Sequence, residues 1–287
     1  MGIKRVLVVG GTGMIGQPVT RQLVKEGFEV TVGTRFQVRV EDLFGSSVEA
    51  RVLDLSDPVS VAASLENQDA VHLSLPSGPR FEDCFRNETE TTRLVANAAA
   101  KAGIKQISYL SGGNVGADVD FPPIQAKWQA EEAIRASGVP FTIWRATWFM
   151  ETLTKLVKGL FVVVLGKGKT PVHWLAGEDF GMLVAKSFRS DNATDKTFYP
   201  FGPESLSYME TVKIFRNICH SNKMIITMPI GVAISMGKLI GIRELWFGAQ
   251  LLKFLDTAGE GGNPEEMNSI LGPTTTTLTQ FAEKIKG

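Results

Sequence analysis

The feature that most constrains the fold is a glycine-rich turn near the N-terminus, Gly10-Gly11-Thr12-Gly13-Met14-Ile15-Gly16. It follows an apolar run at residues 3–9, which predicts a strand, and leads into residues 14–26, which have helical spacing. In such a unit the first glycine permits the tight turn, the second lets the backbone approach a pyrophosphate, and the third allows close packing of helix on strand. The free N–H groups of the helix N-terminus face the phosphates. Residues 10–16 therefore predict a dinucleotide site.

The rest of the N-terminal half alternates between apolar runs and segments of helical spacing. This alternation predicts an α/β fold, a Rossmann-type doubly wound parallel sheet with helices on both faces. The expected strands are 3–9, 29–33, 52–54, 70–74, 104–110 and 141–145, and the expected helices are 14–26, 58–66, 82–102 and 125–137. We therefore assign residues 1–150 to an NAD(P)-binding Rossmann domain.

Beyond residue 150 the alternation weakens, and we expect a smaller, mostly helical lobe at 151–287 that packs on the first domain and contributes partly to it. Its expected helices are 151–160, 178–189, 207–221, 230–256 and 275–286. Open α/β sheets bind ligands at the carboxyl ends of their strands. The lobe is therefore expected to cover that edge and supply the substrate pocket.

The segment from Met224 to Ile242 is apolar except for Thr227, Ser235 and Lys238. Its uninterrupted apolar part is shorter than the roughly 20 residues that cross a bilayer. We interpret it as a buried or dimer-facing helix, with a membrane-associated face as the alternative and no transmembrane span. A homodimer or a partner protein could bind through residues 224–256.

The end of the second expected strand indicates which dinucleotide is bound. NAD-selective sites usually place an acid there, whereas this chain has Thr34 and Arg35. A guanidinium suits a 2′-phosphate, so we favour NADP(H), with NAD(H) still possible and a solvated surface arginine as the alternative. The expected cofactor-binding residues on the next two strands are Asp54, Leu55, Ser74, Leu75 and Pro76. Asp54 could instead cap the helix that begins near Pro58.

Several of these residues together resemble a known family. The glycine turn, Arg35, Asp54, Ser111-Gly112, Lys127-Trp128-Gln129-Ala130-Glu131 and the run from Arg145 to Glu151 are similar to the atypical short-chain dehydrogenase/reductases of the NmrA-like branch, which includes quinone reductases and isoflavone-reductase-like proteins. The resemblance covers residues 3 to about 190 and resumes at Ile270-Leu271-Gly272-Pro273-Thr274. It implies a Rossmann fold with bound NADP(H).

The superfamily's usual proton-transferring tyrosine stands four residues before its lysine, and that position here is Pro123. A proline donates no proton, which argues against sugar epimerase or dehydratase chemistry. Lys127 and Ser111 remain the candidate catalytic residues, and both, with Thr147, are expected to contact the nicotinamide end. Alternatively, Lys127 is an exposed lysine paired with Glu131, and Ser111 is a turn residue. Trp144, Trp148, Phe149 and Trp174 would suit stacking on a flat ring, or form ordinary core.

The expected function is hydride transfer from NADPH to a flat acceptor such as a quinone, with water or the substrate itself as the proton source. The alternatives are a redox sensor that binds NADP(H) without turnover and a nucleotide-holding accessory subunit of a respiratory-type complex.

A formal net charge of zero gives no reason to expect nucleic acid as a binding partner. Two cysteines and three scattered histidines predict neither a metal site nor disulfides, which favours the cytoplasm.

Overall fold

Seven short, mostly apolar runs form one parallel sheet in the computed structural model, which describes residues 2–286 except 77, 79 and 169. Its strands, numbered along the chain, are β1 (Arg5–Val9), β2 (Glu29–Thr34), β3 (Glu49–Val52), β4 (Ala70–Leu73), β5 (Gln106–Leu110), β6 (Phe141–Trp144) and β11 (Lys196–Phe198). Their order is β11-β6-β5-β4-β1-β2-β3. The order reverses between β1 and β4, which opens a crevice at their carboxyl ends. The expected doubly wound sheet is confirmed.

Helices cover both faces of this sheet, and further helices belong to the C-terminal lobe. In chain order they are α1 (Gly16–Lys25), α2 (Gln37–Phe44), α3 (Pro58–Leu65), α4 (Phe81–Cys84), α5 (Thr91–Ala102), α6 (Pro122–Ala136), α7 (Gly177–Ser187), α8 (Tyr208–Cys219), α9 (Ile230–Leu239), α10 (Arg243–Ala258), α11 (Glu265–Leu271) and α12 (Leu278–Lys286). Strand β1 shows why both faces must be covered: Val6 and Val8 join one buried cluster, and Leu7 and Val9 join the other. A strand buried on both faces is apolar throughout, as in parallel sheets generally.

The C-terminal lobe contains two three-stranded sheets in addition to its helices. They have the orders β12-β10-β7 and β13-β9-β8, with β7 (Trp148–Phe149), β8 (Val157–Lys158), β9 (Phe161–Leu165), β10 (Pro171–Leu175), β12 (Ser205–Ser207) and β13 (Met224–Met228). The helix expected at 151–160 is wrong, because 3-10 turns at Met150–Leu156 lead into the β8–β9 hairpin. Strand β11 completes the central sheet by pairing with β6. The lobe thus adds a strand to the N-terminal sheet.

The single helix expected over 224–242 is also wrong. Residues 224–228 form β13, which pairs in parallel with β9, and a turn at 240–242 separates α9 from α10. Pro229 lacks an N–H group and stands at the junction of β13 and α9. The expected burial does not hold throughout, because Leu239 is 83% exposed and Met224 60%. No helix among the described residues is long and apolar enough to cross a membrane.

Candidate functional site

The glycine turn lies at the β1/β4 crevice and has little space for side chains. Gly10 has a φ of +83°, and a Cβ there would lie 2.1 Å from the carbonyl oxygen of Ser74. A Cβ on Gly16 would lie 2.0 Å from the carbonyl oxygen of Gly10. Among the described residues, nothing accepts a hydrogen bond from the N–H groups of Met14 and Ile15, which stand just before α1. Free N–H groups beside glycines, which have no side chain to block a ligand, fit a pyrophosphate.

A cleft of about 640 Å³ continues from the turn along the carboxyl ends of β2, β3 and β4. It brings together Arg35, Asp54, Leu55, Leu75 and Pro76. Arg86 and Asn87 also line the cleft. Neither could be identified from the sequence, because nothing in it indicates which helical residues reach this edge. Thr34 is the last residue of β2, and its hydroxyl oxygen accepts from the N–H of Phe36 at 3.1 Å. Ser74 is held by its N–H bond to Val9.

Asp54 does not cap a helix. That role belongs to Asp57, whose carboxylate accepts the N–H of Val59 at 2.9 Å. Ser56 instead donates its hydroxyl and its N–H to one oxygen of Asp54, at 2.7 and 2.9 Å. These bonds, with a smaller contribution from Arg35, hold the pKa of Asp54 below its ordinary value. An ionised acceptor therefore lies near the Arg35 guanidinium in this cleft.

Lys127 is neither exposed nor paired with Glu131. Its ammonium lies 2.7 Å from Glu88, whose side chain is fully buried, and 3.4 Å from the carbonyl oxygen of Leu110. Glu88 also accepts the hydroxyl of Tyr109 at 2.7 Å. A π-helical stretch at Phe85–Glu90 carries Glu88 to this position, an irregularity that is frequent at functional sites. Lys127 is thus held at the end of β5, and the described residues accept from two of its three N–H groups.

Ser111 follows β5 but turns inward. Its hydroxyl donates to Glu131 at 2.6 Å, and the residue is 4% exposed. Arg145 holds the same carboxylate through two hydrogen bonds of 3.0 and 2.8 Å. Ser111 therefore secures the start of the Gly112-Gly113 turn, and that turn lies between the side chains of Lys127 and Thr147.

The tyrosines and the expected stacking aromatics lie mostly in the interior. Tyr109 is fully buried, and burial beside Glu88 raises its pKa well above its ordinary value. Pro123 is buried in the first turn of α6. Of the aromatic residues proposed to stack on a ligand, Trp144, Phe149 and Trp174 belong to the core, whereas Trp148 is partly exposed. These three rings stabilise the domain and do not offer an open stacking surface.

A polar cluster that the sequence analysis missed lies beside Thr147. The carboxylate of Glu260 accepts the hydroxyl of Thr147 at 2.7 Å, the N–H of His173 at 3.0 Å, and a contact from Nδ1 of His173 at 2.6 Å. These residues come from the end of β6, from β10 and from the connection between α10 and α11. Contacts across 113 and 87 residues leave no trace in sequence spacing.

The sheet order, the glycine turn and the cleft define a Rossmann-type dinucleotide-binding protein. A model of the NAD(P)H-binding domain family matches residues 10–170, so the chain belongs to that family. It is 27% identical to an NAD(P)H azoreductase of Xenophilus azovorans, over 71% of this chain and 70% of that protein.

Two solved structures share the fold. The NADPH-dependent quinone oxidoreductase of Escherichia coli, complexed with NADPH, superposes with a TM-score of 0.77 at 17% identity, over 98% of this chain and 99% of that one. The triphenylmethane reductase of Citrobacter sp., complexed with NADP(H), gives a TM-score of 0.75 at 18% identity with the same coverage. Both comparisons extend through the C-terminal lobe. The lobe's architecture is therefore shared along with the Rossmann domain.

Proposed function

We propose that this protein is an NADPH-dependent oxidoreductase that reduces a flat acceptor such as a quinone or an azo compound. The observation that supports the proposal is a row of groups suited to a dinucleotide along the carboxyl edge of the sheet. It runs from Arg35 and Asp54 through the glycine turn to Lys127 and Thr147. The reductase names of the azoreductase relative and of the two structural neighbours support the same chemistry.

Each part of the row has a proposed role. The turn at 10–16 binds the pyrophosphate, Arg35 the 2′-phosphate and Asp54 the adenine amino group, with Leu55, Leu75 and Pro76 against the base. Lys127 holds the nicotinamide ribose through its remaining N–H, and Ser111 keeps its turn in place. Bound NADPH would supply the hydride. The residues bind and orient the nucleotide and exclude water from it.

Turnover of NADPH with a panel of acceptors tests the proposal directly. The purified protein should oxidise NADPH in the presence of quinones, azo dyes or enones, and NADH more slowly. Tight nucleotide binding with no turnover across the panel would overturn the reductase assignment. That result would favour the redox-sensor or accessory-subunit alternatives, which need the same nucleotide site without an acceptor.

The proposed location is the cytoplasm, supported by two free thiols at Cys84 and Cys219.

We also propose that a second copy or a partner protein covers part of residues 224–256, because exposed aliphatic groups concentrate there, Leu239 among them at 83%. Light scattering of the wild type and of Leu239→Gln measures this association. A wild type that is monomeric at all concentrations would exclude the homodimer.

A further inference from the structure

The pair formed by His173 and Glu260 lies beside Thr147, in a chain that has Pro123 where the usual proton-donating tyrosine would stand. Thr147 follows β6 at the carboxyl edge of the sheet, and its hydroxyl reaches Glu260 at 2.7 Å. Strands β7 and β10 run in parallel with Trp148 opposite Trp174, so the adjoining residues Thr147 and His173 lie side by side. The imidazole is therefore next to the expected nicotinamide end.

Glu260 fixes the orientation and the tautomer of the ring. Its carboxylate is 8% exposed and lies 2.6 Å from Nδ1 of His173. An ionised carboxylate only accepts hydrogen bonds, so Nδ1 carries the proton and Nε2 is the nitrogen that can exchange a proton with a ligand. Phe201 stacks on the ring at 4.9 Å and 14°. The imidazole side chain is 34% exposed, and Nε2 bonds to none of the described residues.

The segment that delivers Glu260 is built for close approach. Gly259, Gly261 and Gly262 surround it, and the carbonyl oxygen of Gly259 accepts from the Asn114 side chain at 2.7 Å. A Cβ on Gly261 would lie 2.3 Å from Asn114 Oδ1, and one on Gly262 would lie 1.9 Å from the Tyr199 ring. The glycines are therefore required for this path. This course of the backbone places the carboxylate of Glu260 beside the imidazole of His173.

We propose that His173 is the general acid of the reduction and that Glu260 is its positioning residue. This inference rests on the proposed function. For a quinone, the hydride from NADPH adds to a ring carbon while the imidazolium form of His173 gives its Nε2 proton to a carbonyl oxygen; a proton shift from that carbon to the second carbonyl oxygen then completes the hydroquinone, and NADP⁺ and a neutral imidazole protonated at Nδ1 remain. Solvent then restores the proton to the imidazole. Among the described residues, Glu260 is the charged group in contact with the ring. The proton thus comes from the protein, where the sequence alone indicated water or substrate.

A test without nucleotide or acceptor is ¹⁵N NMR of labelled histidine in the wild-type protein. The expected result is that the neutral ring of His173 is protonated at Nδ1 and unprotonated at Nε2. In Glu260→Leu the Nδ1 preference should fall. A wild-type ring protonated at Nε2 would overturn the inference, whatever the enzyme turns over.

Steady-state kinetics provide the second test, on an acceptor that the wild type reduces. General acid catalysis contributes about 10²–10⁴-fold, so His173→Gln should lower kcat by about 100-fold and leave the NADPH Kd within about 2-fold. The wild-type kcat should fall as pH rises, because only the protonated imidazole can donate, and this decline should disappear in the variant. His220→Gln, a histidine far along the chain at the end of α8, is the matched control and should behave as wild type.

A conservative replacement of Glu260 distinguishes its proposed role in positioning His173 from a merely structural role. Glu260→Gln retains an acceptor oxygen and should lose less kcat than Glu260→Leu, and Glu260→Leu should add little to the loss in His173→Gln. A His173→Gln enzyme with the wild-type kcat and pH profile would refute the proton-donor role while leaving the reductase function intact. A wild type without turnover on any acceptor would instead refute the proposed function, and the proton-donor role with it.

Discussion

At the scale of single residues, we expect Arg35 to decide between the two nicotinamide dinucleotides. It lines the cleft with Asp54, at the end of β2 where a carboxylate would favour NAD(H). A charge-assisted hydrogen bond to phosphate is worth about 1.5–3 kcal/mol, so Arg35→Ala should weaken NADPH binding about 10- to 100-fold. NADH binding should change little, because no phosphate contact is lost. Calorimetric titration with both nucleotides measures the difference.

The matched control for this experiment is Arg93→Ala, which removes an exposed arginine on α5 that lines none of the described clefts. It should bind both nucleotides as the wild type does. Equal losses of NADPH and NADH affinity in Arg35→Ala would show that Arg35 contributes only general positive charge. In that case Arg86, on the opposite wall of the cleft, becomes the next candidate for the 2′-phosphate.

Lys127 combines a structural role with a proposed binding role, and a double mutant separates them. Lys127→Met leaves the carboxylate of Glu88 buried without its cation, which typically costs about 3–5 kcal/mol of the free energy of unfolding. Lys127→Met/Glu88→Gln removes the buried charge and should recover most of that loss. Nucleotide affinity should stay about 10-fold or more below wild type in both variants, because the ribose contact is missing.

Urea unfolding and nucleotide titration of the same samples provide both readouts. If the double mutant binds NADPH as tightly as the wild type, Lys127 acts only through Glu88 and does not hold the ribose. If the double mutant remains as unstable as the single one, the ammonium stabilises the fold through the Leu110 carbonyl rather than through the ion pair.

The residues of the site divide by how local their contacts are. The glycine turn, Arg35 and Asp54 were predictable, because adjacent residues in a strand-turn-helix unit place them at the same edge. The environment of Lys127 was not, since a π-helical stretch brings in Glu88 from 39 residues away. For Glu260, the only local signal was its three glycine neighbours, which indicate a constrained backbone but no partner.

At the scale of elements, Glu151 joins the end of β7 to the start of α7. One carboxylate oxygen accepts the N–H of Gly177 at 2.8 Å, and the other is buried without a hydrogen bond among the described residues. Burial raises the pKa of Glu151 to about 7. Because the folded protein holds this proton more tightly than the unfolded chain, the free energy of unfolding should fall as pH rises from about 4.5 to about 7.

Glu151→Gln should remove that dependence. The replacement keeps an acceptor for Gly177 without a charge to bury, so at pH 8 we expect it to be more stable than the wild type by roughly 3–4 kcal/mol, from about 1.4 kcal/mol per pKa unit. Urea denaturation between pH 5 and 9 measures the effect. Glu41→Gln, an exposed acid on α2, is the control and should follow the wild type. Parallel curves for Glu151→Gln and wild type would mean that the carboxylate is hydrated when folded.

Most elements of the first 150 residues were predicted, because most strands are apolar and most helices have a clear period, but the helix α2 (Gln37–Phe44) was not expected. Strand β3 lies at Glu49–Val52, whereas the sequence predicted a strand at 52–54. Its polar residues interrupt the apolar pattern by which the other strands were recognised. In the lobe, β7, β8 and β12 have two or three residues, too few for any period, and pairing with distant strands stabilises them. Strand β13 had a usable signal, the run Ile225-Ile226-Thr227 before Pro229.

At the scale of the whole molecule, the proposed nucleotide spans both parts of the chain. The adenine end rests on β2, β3 and β4, whereas the nicotinamide end meets Thr147 and the cluster built from β10 and the α10–α11 connection. Strand β11 and the packing of Gly181 of α7 on α1 join the lobe to the sheet independently of ligand. We therefore expect one cooperative unfolding transition, with or without nucleotide.

NADPH should raise the temperature of that transition more than a fragment that fills only the adenine end. At 100 times its Kd a ligand adds about 2.7 kcal/mol to the free energy of unfolding, which corresponds to roughly 5–10 °C for a chain of this size. At equal concentration, NADH and adenosine 2′,5′-bisphosphate should each give a smaller shift, because one lacks the 2′-phosphate and the other lacks every contact near Lys127 and Thr147. In Arg35→Ala, the shifts by NADPH and NADH should become similar. A bisphosphate shift equal to that of NADPH would place all of the binding energy at the adenine end and leave the nicotinamide contacts without effect.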